Sequence, residues 1–295
     1  MPSDGATHRT EADSWAFCRF RAFGRAVIVA VMQTPDTAVD LAEVMHRIPA
    51  KVMPSVGADV VKNLVYAVGF IRVVGGPEEA APVDRAGKGK IHRRGTRRAV
   101  DTAEPFAHWM RDGASSAATR ESVARVVRMH DHYGKAYAMP NEAFLHGIAL
   151  FTLGFDEIFQ IVGLDVFTDS EKAAQVAHWR AIGEQMRIRG IPDTWTGMQQ
   201  MLRDYEHDPQ WYGFSVEGHR CAESLINQFN ERWLPRALHP VGRAVILSLE
   251  PDHVLAAVGE RKPPTAVVWM VRRLVRAALL IQLKAVPQLK TWKER

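Results

Sequence analysis

Helical periodicity is the feature that most limits what this chain can fold into. From about residue 97 to residue 284, apolar side chains recur every three or four residues, which is the spacing of amphipathic helices. No run alternates apolar and polar residues convincingly, as a half-buried strand would. Hydrophobic residues make up 47% of the chain, enough for a sizeable core. The sequence therefore predicts an all-α fold.

Capping and turn residues set the expected ends of the helices. Thr168 and Glu171 form a capping-box pattern in front of one of them. The segment of about 75–96, rich in Gly, Pro, Ala and charge, is the best candidate for a mobile loop. The helices are predicted over 12–33, 37–48, 56–74, 97–112, 118–137, 141–162, 169–189, 194–207, 215–237, 240–249 and 263–284.

No clear linker interrupts residues 97–284, so these helices are expected to form a single domain. We place that domain at 13–285, after a flexible N-terminus at 1–12 and before a C-terminal tail at 286–295. The polar, acid-containing start does not resemble a signal peptide, which makes a cytoplasmic location the default expectation. The oligomeric state is left open.

Charge and cysteine content exclude some functional classes. The net charge of +5 is scattered, and its densest run, Lys88–Arg98, lacks the interleaved aromatic residues of a nucleic-acid surface. We therefore expect no nucleic-acid partner. Two cysteines, Cys18 and Cys221, are too few for a disulfide framework or a cysteine-built metal site.

One C-terminal segment leaves a membrane contact open. Residues 265–284 are largely apolar but are interrupted by Arg272, Arg273 and Arg276, so they are not expected to span a bilayer. The segment is suited either to burial against the domain or to peripheral contact with a membrane surface.

His130 is the candidate centre of any chemistry. At about 100° per residue, it shares a helix face with Val123, Val126 and Val127, so it is predicted to point inward. His132 falls on the face of Arg125 and other charged residues and is predicted to point outward. From periodicity alone, an unligated core histidine remains the blander interpretation of His130.

Gly134 follows His130 by one turn on the same face. Glycine inside a helix costs about 1 kcal/mol relative to alanine, so close approach of something flat and bulky, such as a metal-bound macrocycle, is one reason to keep it. Close packing of this helix against another is the second reason why a glycine could be kept at this position.

Other chemical motifs are weak or absent. Glu43 and His46 form a single Glu-x-x-His, whereas a di-iron bundle needs two. His-Glu-x-x-His, Walker and Gly-x-Gly-x-x-Gly patterns are missing. His130-Asp131 is an HD dipeptide of the kind found in metal-dependent phosphohydrolases, and this class is kept as an alternative together with a non-catalytic binding or sensor protein.

Several motifs resemble those of the rubber oxygenase family, which includes latex-clearing proteins and the membrane-bound oxygenase of mycophenolic acid biosynthesis. The likeness covers about residues 97–285. It rests on a histidine preceded by arginines, a polar turn before a long apolar helix, a Trp-Arg-x-Ile-Gly segment, a Gly-Ile-Pro end and a later helix pair. The matching positions are Arg125, Arg128 and His130; Asn141 and Ala143–Val162; Trp179, Arg180, Ile182 and Gly183; Gly190, Ile191 and Pro192; and 239–264.

The resemblance implies an all-α domain that encloses a b-type haem between helices, with His130 as the axial ligand of the iron. The family's upstream Arg-x-x-x-Thr element is matched by Arg98 and Thr102, which would share one helix face beside the haem. Gly134 would leave space for the ring. The expected reaction is a haem-dependent oxygenation with dioxygen of an isoprenoid, lipid or aromatic substrate, including oxidative cleavage of a C=C bond.

The chain departs from the latex-clearing branch at three places. That branch has an arginine three residues before the histidine, where this chain has Val127, and a lysine just before the upstream threonine, where it has Asp101. A glutamate important in that branch has only Glu78 or Glu79 as an approximate counterpart. These departures and the lack of a secretion signal count against rubber itself as the substrate.

Overall fold

The computed structural model describes residues 40–52 and 58–293, and all regular elements in those ranges are helical. The all-α prediction is thereby confirmed. The helix predicted at 12–33 and the predicted N-terminus at 1–12 lie outside the described residues.

The helices follow one another through short connections. They are α1 Leu41–Val52, α2 Ala58–Val73, α3 Pro77–Asp84, α4 Lys90–Arg93, α5 Gly95–Asp112, α6 Ala117–Tyr133, α7 Asn141–Ile161, α8 Asp169–Gln185, α9 Trp195–His207, α10 Val216–Trp233, a 3₁₀ turn Arg236–Leu238, α11 His239–Ser248, α12 Asp252–Ala257 and α13 Thr265–Lys293.

The structure differs from the sequence prediction at the segment 75–96. Instead of a loop, it contains the short helices α3 and α4 and the start of α5. Pro77 stands in the first turn of α3, where its missing N–H costs nothing. Asp84 at the end of α3 is fully buried and ion-paired to Arg220 of α10, with an Nη2–Oδ2 distance of 2.7 Å. This contact over a long sequence separation fixes the segment.

Helix α7 runs through the core. Its buried residues face α9 on one side and the aromatic cluster of α5 and α8 on the other. Trp179 of α8 is 1% exposed, and its ring stacks on Phe106 at 4.9 Å between centroids. Trp179 is therefore a packing anchor between α5 and α8.

By length and composition, α7 is the one described single helix that could cross a membrane; α2 and α3, joined by a sharp bend, pass the same test only as a pair. Half of the α7 window is buried inside the protein. It also contains the fully buried His146, which is bonded to carboxylates. These features are typical of a core helix.

The predicted capping box before α8 is present, and it leads to a stability prediction. The Thr168 hydroxyl accepts from the Glu171 N–H, and the Glu171 side chain accepts from the Thr168 N–H. We expect Thr168→Ala to lower the free energy of unfolding by about 1 kcal/mol, measured by urea denaturation. The matched control is Ser170→Ala, an exposed neighbour on the same helix turn, which should stay within about 0.5 kcal/mol of wild type. Equal effects at both positions would contradict the role of the cap.

Candidate active site

A cavity of about 540 Å³ lies between α2, α5, α6 and α7. Its walls are mostly apolar, with residues such as Phe106, Phe144 and Phe151. The volume falls in the range of sites that bind small molecules or cofactors. The interior therefore has room for a ligand among helices, as the family resemblance implies.

His130 of α6 lines this cavity and is half-buried. Its ring lies 5.1 Å from the ring of Phe144, and neither ring nitrogen has a hydrogen-bond partner among the described residues. Burial lowers the pKa of His130, while the adjacent Asp131 opposes this shift. The side chain is thus a neutral imidazole with an unused nitrogen lone pair, the form in which histidine binds metals.

The predicted division of the α6 faces is confirmed. His132, Arg125 and Arg128 are exposed, and Val123 is buried. Asp131 is also exposed and is ion-paired to Arg187, with an Nη2–Oδ1 distance of 2.6 Å. This orientation gives the HD-phosphohydrolase alternative no support, because the two residues of the dipeptide do not converge on one site.

Arg98 and Thr102 of α5 both line the cavity, one helical turn apart. The Arg98 Nη1 donates to the Tyr66 hydroxyl at 2.6 Å, and its guanidinium lies 4.1 Å from the centroid of the Phe70 ring. Among the described residues it has no carboxylate partner. Burial raises the pKa of Tyr66, although Arg98 opposes the shift. The half-buried guanidinium of Arg98, which lacks a carboxylate partner in the described part of the chain, is suited to binding an anionic group of a ligand.

The structure places Gly134 outside this arrangement. It follows the last residue of α6 rather than lying within the helix, and its N–H donates to the His130 carbonyl at 2.8 Å. It is exposed and does not line the cavity. The expected helix to residue 137 instead stops at Tyr133, so the space argument made for Gly134 no longer applies.

A buried network of charges, which the sequence did not reveal, adjoins the cavity. Its centre is His146 of α7, whose Nδ1 lies 2.8 Å from Glu79 Oε1 and whose Nε2 lies 3.3 Å from Glu206 Oε1. Arg72 donates to both Glu206 oxygens, at 2.9 and 2.8 Å, and the half-exposed His253 contacts Glu206 Oε2 at 2.8 Å. Arg72 and Glu79 also line the cavity.

The hydrogen bonds and charges of this network set the pKa values of Glu206 and His146. Burial alone would raise the pKa of Glu206, but hydrogen bonds from His146, His253 and Arg72 lower it, so the carboxylate stays ionised. Burial would likewise lower the pKa of His146, but Glu79 and Glu206 raise it to about 9. His146 is therefore an imidazolium near neutral pH. It holds the Glu79 side chain at the cavity wall together with the Tyr205 hydroxyl, which donates to Glu79 Oε2 at 3.1 Å.

A second cluster, of Asp84, His92 and Cys221, brings ligand-type atoms within 4.8 Å of one another. Arg220 donates to both Asp84 oxygens, and His92 bridges Asp84 at 2.9 Å and Ser224 at 2.7 Å. Burial raises the pKa of Cys221 to about 12, so the thiol is protonated. The cluster is best explained as a structural tie between α3, α4 and α10, because an arginine already compensates the carboxylate.

Comparison with known protein families identifies the family to which the chain belongs. The family described as the ER-bound oxygenase mpaB/B′ and rubber oxygenase catalytic domain matches residues 56–280. A comparison with curated proteins gave no match. The matched region includes α2–α12 and most of α13, and hence every cavity residue named above. The chain therefore belongs to the mpaB and rubber oxygenase family.

Proposed function

We propose that this protein is a haem b-dependent oxygenase acting on a hydrophobic substrate, with His130 as the axial ligand of the iron. The observation that carries the proposal is the neutral imidazole of His130, which faces a mostly apolar cavity and has no hydrogen-bond partner among the described residues. Membership of an oxygenase family favours the same chemistry.

The residues around the cavity fit a haem in four respects. His130 offers one nitrogen donor, as axial haem ligation requires. Arg98, without a carboxylate partner in the described part of the chain, would pair with a propionate. Thr102, one turn further along α5, would bring a hydroxyl to the same edge. The aromatic walls formed by Phe106, Phe144 and similar residues suit a flat, apolar group.

When bound, the haem would supply the activation of dioxygen. The chain's own residues would exclude water, hold the apolar substrate and orient it against the cofactor. For an unsaturated substrate such as an isoprenoid, the proposed outcome is cleavage of a C=C bond, with the two oxygen atoms of one dioxygen becoming two carbonyl oxygens. A lipid or aromatic substrate would be held by the same walls.

Loss of haem on removal of the His130 imidazole is the expected result that tests this function. Haemin added to the purified protein should give a Soret band, which His130→Ala should abolish or shift strongly. His132→Ala is the matched control, because this exposed histidine lies two residues away on the same helix and should leave the band unchanged. Circular dichroism would verify that both variants fold.

Three outcomes would count against the proposal. Wild-type protein that cannot be reconstituted with haemin would remove it. A band that survives in His130→Ala but disappears in His132→Ala would reverse the assignment of the ligand. A stable haem complex that consumes no oxygen with squalene, compared with saturated squalane, would favour the non-catalytic sensor instead.

A further inference from the structure

Helix α13 leaves a row of large apolar side chains in water. Trp269 is 62% exposed, Met270 50%, Leu274 64% and Ile281 71%. At 100° per residue these side chains fall within one arc of about 140°, while the buried Val271 lies on the opposite side. Exposed apolar patches of this kind mark surfaces that contact a partner or a lipid phase.

The charge of the helix narrows the choice of partner. Between Thr265 and Lys293 the sequence contains no acidic residue and six basic ones: Arg272, Arg273, Arg276, Lys284, Lys290 and Lys293. The exposed Arg273 lies over the ring of Trp269, 5.4 Å from its centroid. Arg272 and Arg276 donate to the backbone carbonyls of Ser248 and Val162.

None of the three α13 arginines forms an ion pair with a carboxylate in the described part of the chain. Their positive charge is therefore available to an external anion. A helix whose exposed apolar arc contains a tryptophan and has basic residues within and beside it is suited to the headgroup region of an anionic bilayer.

We propose that α13 docks the protein on the surface of an anionic membrane. Its apolar arc would enter the interfacial region, and Arg273 with its basic neighbours would bind lipid phosphates. The helix would lie in the plane of the surface, because its opposite face packs on the domain through Val271.

The position of α13 relative to the main cavity connects membrane docking with the entry of a substrate. A second cavity of about 490 Å³ lies between α13 and the end of α7, lined among others by Trp269, Arg272 and Ile161. Ile161 also lines the main cavity. A substrate dissolved in the lipid would thus reach the main cavity beside Ile161 after docking. This consequence rests on the proposed function, whereas the docking itself does not.

Vesicle binding by the full-length protein without added haem tests the docking. Co-sedimentation is expected with vesicles that contain phosphatidylglycerol, and weaker binding with pure phosphatidylcholine or at high salt. The double variant Leu274→Glu/Ile281→Glu should bind anionic vesicles at least about tenfold more weakly. Arg273→Glu should weaken binding and reduce its salt dependence. Val216→Glu is the matched control, an exposed apolar residue (53%) outside α13, and should bind as wild type does.

Other occupants of the arc would give different results. Wild type that does not bind anionic vesicles, or a double variant that binds normally, would overturn the proposal. A wild-type dimer that becomes monomeric in the double variant, measured by light scattering, would assign the arc to a second copy. Because no haem is involved, failure of haem binding would leave these results unchanged, and failure of docking would not affect the haem titration.

Discussion

Arg72→Met is expected to lower the free energy of unfolding by about 3 kcal/mol, because it removes the guanidinium partner of a buried carboxylate and leaves Glu206 with only its contacts to His146 and His253. Arg72 is 7% exposed and Glu206 5%. The guanidinium donates two hydrogen bonds to Glu206 and also pairs with Glu157. Methionine retains much of the apolar stem of arginine, so the loss would report on the charge rather than on a large cavity. Guanidinium chloride denaturation measures the change.

Arg180→Met is the matched control for this variant. Arg180 forms an i,i+4 pair with Glu184 at 2.9 Å on the surface of α8, with 41% of the side chain exposed. An exposed pair of this kind contributes less than about 1 kcal/mol. If Arg72→Met were no more destabilising than Arg180→Met, the network around Glu206 would not be important for stability.

The sequence predicted the elements of this fold well where helical periodicity is long. The ends of α7 and α8 lie within a few residues of their predicted positions, because an apolar face and a capping box act locally. The short helices α3, α4 and α12 were missed, since each is held by contacts to distant parts of the chain rather than by its own pattern. The tie between Asp84 and Arg220 is one example.

The residues of the candidate site were likewise predicted only in part from the sequence. Helical phase correctly gave the inward direction of His130, and the spacing of Arg98 and Thr102 correctly placed them on one face of α5. Gly134 fell outside the site because α6 ends earlier than its pattern indicated. The role of His146 was invisible in the sequence, because its partners Glu79 and Glu206 lie 67 and 60 residues away.

Raising the pH from about 6 to about 8.5 should lower the free energy of unfolding by about 2 kcal/mol, because His146 is more basic in the folded state than in the unfolded chain. Its pKa is raised from 6.5 to about 9 in the folded protein. The stabilisation from this group is complete below about pH 6.5, decreases as the pH rises, and is lost above about pH 9. Urea denaturation at a series of pH values measures the slope. Two buried carboxyl groups in this network change stability in the same direction, because burial raises the pKa of Glu79 and of Glu250; the variants described below isolate the contribution of His146.

The remaining groups near His146 do not produce this slope. Tyr205 and Tyr212 pack against its ring, and burial raises the pKa of both further above the range scanned. Burial lowers the pKa of His178 to about 4, so its effect has the opposite sign: stability rises as the pH passes the unfolded value of 6.5 and is constant above about pH 7.5. Cys221, whose pKa burial raises to about 12, affects stability only near and above the ordinary thiol pKa of about 8.5.

A variant pair separates His146 from the remaining histidines. His146→Gln should be less stable than wild type at pH 6 and should show a much flatter dependence up to about pH 8.5. The exposed His132→Gln should retain the wild-type slope. If wild type itself were equally stable at both ends of this range, His146 could not be an imidazolium held between Glu79 and Glu206. The centre of the network would then be a neutral ring, and the carboxylate at the cavity wall would lack its cationic partner.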